Sequence, residues 1–104
     1  MMSDFPAKRS AERMPTHPGA LLREDVLPAL GLSIAEAARR LHVSRQTLHD
    51  LLAERKGFTP AMALRVGKLA GNGALLWLSL QQKYDLWHAE RELADELRSI
   101  ERAA

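Results

Sequence analysis

Apolar residues recur along this chain at intervals of three and four with polar residues between them, a spacing that predicts helices throughout. Leu21, Leu22, Val26 and Leu27 form the first buried stripe. It follows Thr16-His17-Pro18-Gly19, where Thr16 or His17 stands near the cap and Pro18 early in the first turn, and it is expected to end near Val26 or Leu27, ahead of Pro28 and Gly31. Leu30 and Leu32 anchor the connection that follows. A second stripe, Ala37, Ala38 and Leu41, opens at Ser33; a third, Leu48, Leu51 and Leu52, opens at Ser44. Each serine is a good N-cap, because its hydroxyl accepts from an unpaired amide of the first turn. Gly57 supplies a flexible turn before the next helix, and Phe58 tucks inward. Thr59-Pro60 starts that fourth helix, with Met62, Val66 and Leu69 inward, and Gly71-Asn72-Gly73 stops it. A fifth helix begins near Ala74 and buries Leu76, Trp77, Leu80 and Tyr84. Leu86, Leu93, Leu97 and Ile100 continue as a heptad seam with one position, Glu90, unfilled. No alternating run of β-branched residues signals a strand.

The expected architecture is therefore all-α: about five helices over residues 15–88, a C-terminal helical extension over 89–104, and a polar, aperiodic and flexible N-terminal arm over 1–14. Lys8, Arg9 and Arg13 give that arm a basic character, and Met14 is a second candidate initiator. The C-terminal helix has two possible uses, folding back on its own core or pairing with its copy.

The central pair of helices carries the chemistry. Two capped helices joined at His42-Val43, with a small residue at Ala38 where they cross and apolar residues at Ile34, Ala37, Leu41, Val43, Leu48 and Leu51, have the spacing of a DNA-binding helix-turn-helix. The turn of that motif usually holds glycine; here it holds His42, which tolerates the left-handed region better than most residues. The second helix opens with Ser44, Arg45, Gln46, Thr47 and His49, hydroxyl, guanidinium and amide groups suited to phosphates and to base edges in a major groove. An ordinary helical hairpin that binds nothing is the bland alternative.

Composition narrows the function. There are 104 residues, 46% of them hydrophobic and 27% charged, enough for one small domain with a single core. The absence of cysteine removes disulfides and thiolate metal sites and fits a reducing, cytoplasmic setting. No stretch has the length and apolarity of a membrane span or a signal-peptide core, so no membrane association is expected. Net charge is +2, but unevenly spread. Residues 39–68 hold seven basic residues against two acidic ones, a net +5, whereas 85–104 hold six acidic against three arginines, a net −3. One end is suited to phosphate and the other would be held away from it. His17, His42, His49 and His88 show no metal-ligand spacing, and no nucleophile–base pair, glycine-rich phosphate loop or carboxylate pair is visible, so no metal, cofactor or enzyme activity is expected.

Beyond the motif, Thr16-His17-Pro18-Gly19-Ala20-Leu21-Leu22-Arg23-Glu24-Asp25-Val26-Leu27 resembles the "HPGE-L-L-E-L" opening of HigA-type (VapI-like) addiction-module antitoxins of the XRE, lambda repressor-like class. The resemblance continues through Val43-Ser44-Arg45-Gln46-Thr47-Leu48 and the helix from Thr59 to Arg65. It closes on Trp77-Leu78-Ser79-Leu80-Gln81 and Tyr84-Asp85-Leu86-Trp87, covering about Pro15 to Ala89. It departs at Ala20, often acidic in that family, and at Ile34, a position often held by a phosphate-contacting glutamine in the wider class; here Ser33 or first-turn amides would supply that contact. The resemblance implies a lambda repressor-like five-helix DNA-binding domain acting as a homodimer on double-stranded operator DNA in its own promoter. It also implies a toxin partner, a HigB-like (RelE-like) mRNA interferase. Carried over, the DNA-reading positions are Ser44, Arg45, Gln46, Thr47 and His49, with Ser33, Arg39, Arg55 and Lys56 as phosphate contacts. The expected dimer surface is Trp77, Leu80, Tyr84 and Trp87, the spare apolar stripe far from Arg45. Two alternatives share the fold: a stand-alone transcriptional regulator, and an interaction protein that no longer binds DNA.

Overall fold

The computed structural model describes residues 13–104, so the expected N-terminal arm lies, up to residue 12, outside the described residues. Six helices follow one another, and no strand occurs among the described residues. Helix α1 occupies residues 18–30 in three continuous stretches, α-helical over Pro18–Leu21, π-helical over Leu22–Val26 and α-helical again over Leu27–Leu30. Helix α2 is Ile34–Leu41, α3 Arg45–Leu52, α4 Pro60–Ala70, α5 Ala74–Glu92 and α6 Ala94–Arg98.

The expected end of the first helix before Pro28 is corrected: α1 runs on to Leu30 and stops at Gly31, which takes the left-handed cap at φ 70°. Proline lacks the amide an α-helix needs and its ring crowds the carbonyl four residues back. The wider π turn immediately before Pro28 accommodates this; there the Leu27 amide reaches back five residues to the Leu22 oxygen. Five residues also separate the two buried leucines, Leu22 and Leu27, so the π turn keeps both on the core side.

The caps read from the sequence are in place. Ser33 Oγ accepts from the Glu36 amide at 3.1 Å, Ser44 Oγ from Thr47 at 3.0 Å, and Thr59 Oγ1 from Met62 at 3.2 Å. Of the two candidates before α1 the cap is His17, whose Nδ1 accepts from the Gly19 amide at 2.9 Å. Gly19 itself is fixed by proximity, because a Cβ there would sit 2.1 Å from the Leu51 oxygen of α3.

His17 is buried, and its ring meets Tyr84 edge-on at 4.7 Å. Burial pushes its pKa below the ordinary histidine value, against weaker opposing pulls from Glu54 and Asp85. The unfolded chain therefore takes the proton first as pH falls. The stability His17 contributes is complete above about pH 6.5 and drains away from there down to the folded-state value. A thermal midpoint followed from about pH 8 to about pH 5 should fall more in wild type than in a His17→Asn variant, which keeps a capping oxygen without the titration.

One core joins the first five helices. Leu22, Leu27, Ala37, Ala38, Leu41, Leu48, Leu51, Leu52, Phe58, Met62, Ala63, Val66 and Trp77 form one cluster. Trp77 is its largest wholly enclosed side chain; it stacks on Phe58 at 5.1 Å and donates from Nε1 to Asn72 Oδ1 at 2.9 Å. Leu76, expected inside, is instead 40% exposed, because its neighbour Trp77 takes the inward position on α5. Gln81 is buried: its Oε1 accepts from the Phe58 amide at 2.8 Å, and its Nε2 donates to Asp85 at 3.0 Å. Gly57 serves this clamp rather than a flexible turn. Its φ is not positive, and a Cβ on it would stand 2.9 Å from the Gln81 amide.

The heptad seam is not one helix. The backbone leaves helical geometry at Leu93 (φ −101°, ψ 11°), α6 is five residues long, and residues 100–104 are not helical. Leu86, Leu93, Leu97 and Ile100 are all exposed. Helix α5 itself crosses residue 89 without interruption.

Candidate nucleic-acid interface

Helices α2 and α3 pack against each other across the buried Ala38, and the turn between them closes as expected. His42 adopts the left-handed conformation, φ 62° and ψ 41°, and the Val43 amide reaches the Ala38 oxygen at 3.0 Å. This is the Schellman closure, with an imidazole where glycine is usual. Arg65 of α4 braces the turn from behind, donating to the Leu41 oxygen at 2.9 Å. Arg23 of α1 does the same for the far end of α3, donating to the Leu52 oxygen at 2.7 Å.

The surface so formed collects most of the residues singled out from the sequence. Arg45, Gln46 and His49 are exposed and Thr47 half-buried, all within the first five residues of α3. Ser44 spends its hydroxyl locally, accepting from the Thr47 amide and donating to Thr47 Oγ1 at 2.8 Å. Ser33 is exposed at the start of α2. A shallow polar groove between the two helix starts is lined by Ser33, Ala35, Glu36, Arg39 and Arg45. Arg39 is tied across one turn to Glu36, which that bond holds below the usual carboxylate range. Among the described residues Arg45 makes no side-chain hydrogen bond and no ion pair, so its guanidinium is available.

Arg55 and Lys56 lie beyond α3 but are turned back toward it. Glu54 takes a positive φ of 65°, which the sequence reading did not anticipate. The Arg55 and Lys56 amides then return to the Asp50 main-chain oxygen at 2.9 and 3.3 Å. Their side chains converge on the Asp50 carboxylate, Arg55 Nη2 at 2.9 Å and Lys56 Nζ at 3.6 Å. Gln46 Nε2 joins it at 2.9 Å. Asp50 is thus a residue the sequence reading missed. The available signal was the i, i+4 spacing of Gln46 and Asp50 on one helix, which places an amide over a carboxylate.

The expected dimer stripe divides. Trp77 is a correction: it is 0% exposed, enclosed by its own chain, and presents no surface. Leu80, Tyr84 and Trp87 are half-buried. Tyr84 packs between His17 and His88, at 4.7 and 4.4 Å, and Trp87 carries the Arg91 guanidinium over its ring at 3.6 Å. Leu80 borders a hollow with Thr16, Ala20, Leu21, Glu24 and Asp25. No group of metal-ligating side chains occurs among the described residues, and no helix there is long and apolar enough to cross a membrane.

Two capped helices crossing at an alanine, inside an all-helical core, define a lambda repressor-like helix-turn-helix protein. The chain is 41% identical over 76 residues to virulence-associated protein I of Dichelobacter nodosus, covering 73% of this chain and 70% of that protein. Its fold matches the structure described as Pseudomonas aeruginosa antitoxin HigA with higBA promoter, with a TM-score of 0.80 and 34% identity over 86% of this chain and 99% of that one. It also matches antitoxin GraA in complex with its operator, with a TM-score of 0.81 and 38% identity over 88% and 94% of the two chains. No model of a protein family matches the chain. The chain belongs to the HigA-type, VapI-like antitoxins of the lambda repressor-like class.

Proposed function

We propose that this protein is a sequence-specific DNA-binding antitoxin of a type II toxin–antitoxin system, cytoplasmic, that represses its own operon and neutralises a HigB/RelE-like mRNA interferase. The observation that carries the DNA half is the start of α3: an exposed Arg45, without a side-chain partner among the described residues, beside Gln46, Thr47 and His49 on a rigidly braced helix. Such a helix end enters a major groove, Arg45 matching the O6 and N7 of guanine, while Ser33, Arg39, Arg55 and Lys56 flank it where phosphates pass. The net +5 of residues 39–68 supports the same face. The antitoxin half rests on the family and on neighbours described as antitoxins with promoter or operator DNA.

A single helix-turn-helix reads few base pairs, so two copies on adjacent half-sites are needed for affinity. Leu80, Tyr84 and Trp87 are the residues assigned to that homodimer. Wild type should sediment as a dimer at micromolar concentration; a monomer that binds its operator tightly as one chain would sink this assignment.

Gel-shift titration on the promoter DNA of the protein's own operon tests the DNA half. Arg45→Ala and Gln46→Ala should each weaken binding by about 1–3 kcal/mol with the circular-dichroism spectrum unchanged, since both are surface residues. Wild-type affinity in both folded variants would refute the assigned helix. The folded double variant should still protect cells from the toxin encoded beside the gene. Loss of protection at normal expression would place both functions on one surface. Operator binding with no adjacent toxin gene would favour the stand-alone regulator.

A further inference from the structure

Asp50 lies outside the DNA-reading set, yet it organises part of it. Its Oδ1 accepts from Gln46 Nε2 at 2.9 Å and from Arg55 Nε and Nη2 at 3.1 and 2.9 Å. The side chain is only 16% exposed, carried by α3 and covered by the turn that folds back at Glu54. The hydrogen bond from Arg55, then that from Gln46, holds its carboxyl below the usual carboxylate range. It stays ionised and can only accept. A glutamine amide has two unlike ends, and an unconstrained one turns either end outward. Facing an acceptor-only group, Gln46 must turn its NH2 end inward. Among the described residues its Oε1 and its second N–H have no other partner and are left for whatever approaches the exposed face of α3.

We propose that Asp50 is a specificity-determining positioning residue: by fixing the Gln46 amide it makes Gln46 read adenine and refuse guanine. Adenine shows the major groove one donor, N6–H, and one acceptor, N7, which match Oε1 and the remaining N–H. Guanine shows two acceptors, O6 and N7, and its O6 would face the Gln46 oxygen. This rests on the reading that α3 enters the major groove. The i, i+4 spacing matters because Asp50 sits one turn behind Gln46 and steers it without occupying the groove itself.

The full chain is offered random-sequence duplex DNA, and the recovered site is titrated with every base at each position. The comparison covers wild type, Gln46→Ala, Asp50→Asn and Asp50→Ala. One position per half-site should lose its preference in Gln46→Ala. There, wild type should favour adenine over guanine by about tenfold or more. Both Asp50 variants should cut that ratio to about twofold or less, with preferences elsewhere unchanged. Asparagine donates as well as accepts and alanine offers no partner, so in either variant the amide turns freely. A wild-type-sized adenine preference in a folded Asp50 variant overturns the proposal, and so does guanine selected at the Gln46 position. In the free wild-type protein, the heteronuclear NOE of the Gln46 side-chain nitrogen should approach that of the helix backbone; a free-rotor value also overturns it. Recovery of no sequence by wild type overturns the groove-binding reading together with this proposal, an outcome distinct from the others because it precedes any comparison of variants.

Discussion

Trp77→Ala should remove a large share of the protein's stability, more than any other single truncation in the core. The indole is wholly enclosed, stacks on Phe58 and places its one polar atom on Asn72. Truncating a buried tryptophan costs about 3–5 kcal/mol, and a domain of this size has about 5–15 kcal/mol in all. The variant also leaves Phe58 without its stacking partner, in the segment that Gln81 clamps at the Phe58 amide. Chemical denaturation followed by circular dichroism gives the free energy directly. A loss under about 1 kcal/mol would mean that the core closes around the vacancy. Trp77→Phe, which keeps much of the volume, should cost less and retain the fold.

Ala38→Leu should be as damaging for the opposite reason. Ala38 is 2% exposed where α2 crosses α3, and its main-chain oxygen accepts the bond that closes the turn. Three added carbons have no space there, and overpacking costs about 1–3 kcal/mol even where neighbours can shift. Here they cannot shift freely, because Arg65 and Arg23 fasten the motif to α4 and α1 at Leu41 and Leu52. Separation of α3 from α2 should therefore abolish DNA binding in whatever fraction of the protein stays folded. Unimpaired stability and binding would show that the crossing is looser than drawn. Ala38→Gly should retain binding at a cost of about 1 kcal/mol in helix propensity.

What the sequence made legible was local. Ser33, Ser44 and Thr59 announce helix starts because a hydroxyl at the cap has one dominant use, and His42 falls at the turn by its place between two capped helices, although glycine adopts that left-handed conformation more readily. Positions 37, 38, 41, 48, 51 and 52 are buried as their spacing requires. Less legible were features set by several segments at once. The burial of Gln81 depends on an amide 23 residues away at Phe58. Leu76 and Trp77 are both apolar and adjacent, and only the angle at which α5 meets the core decides which goes inside. The positive φ of Glu54 has no glycine to signal it. Leu93 to Ile100 have heptad spacing, yet the helix is interrupted at Leu93 and the seam lies exposed, so spacing alone did not make one continuous helix. On the candidate interface, residue types were readable from the sequence, but the capture of Gln46, Arg55 and Lys56 by Asp50 requires the fold of the 53–56 turn.

The π turn of α1 has a further consequence for how this chain can change. A helix with five residues where four would serve carries one residue more than its core requires, and Leu22 and Leu27 would stay in phase at ordinary pitch if that residue were lost. Pro28 opposes the loss, since ordinary pitch brings its ring against the carbonyl four residues back. The surplus residue and the proline are therefore a linked pair. Deleting a residue from 23–26 alone, or restoring the tighter helix while keeping proline, puts the strain back; making both changes together relieves it. The length of this helix and the residue at position 28 should consequently vary in concert, although neither belongs to the candidate nucleic-acid interface.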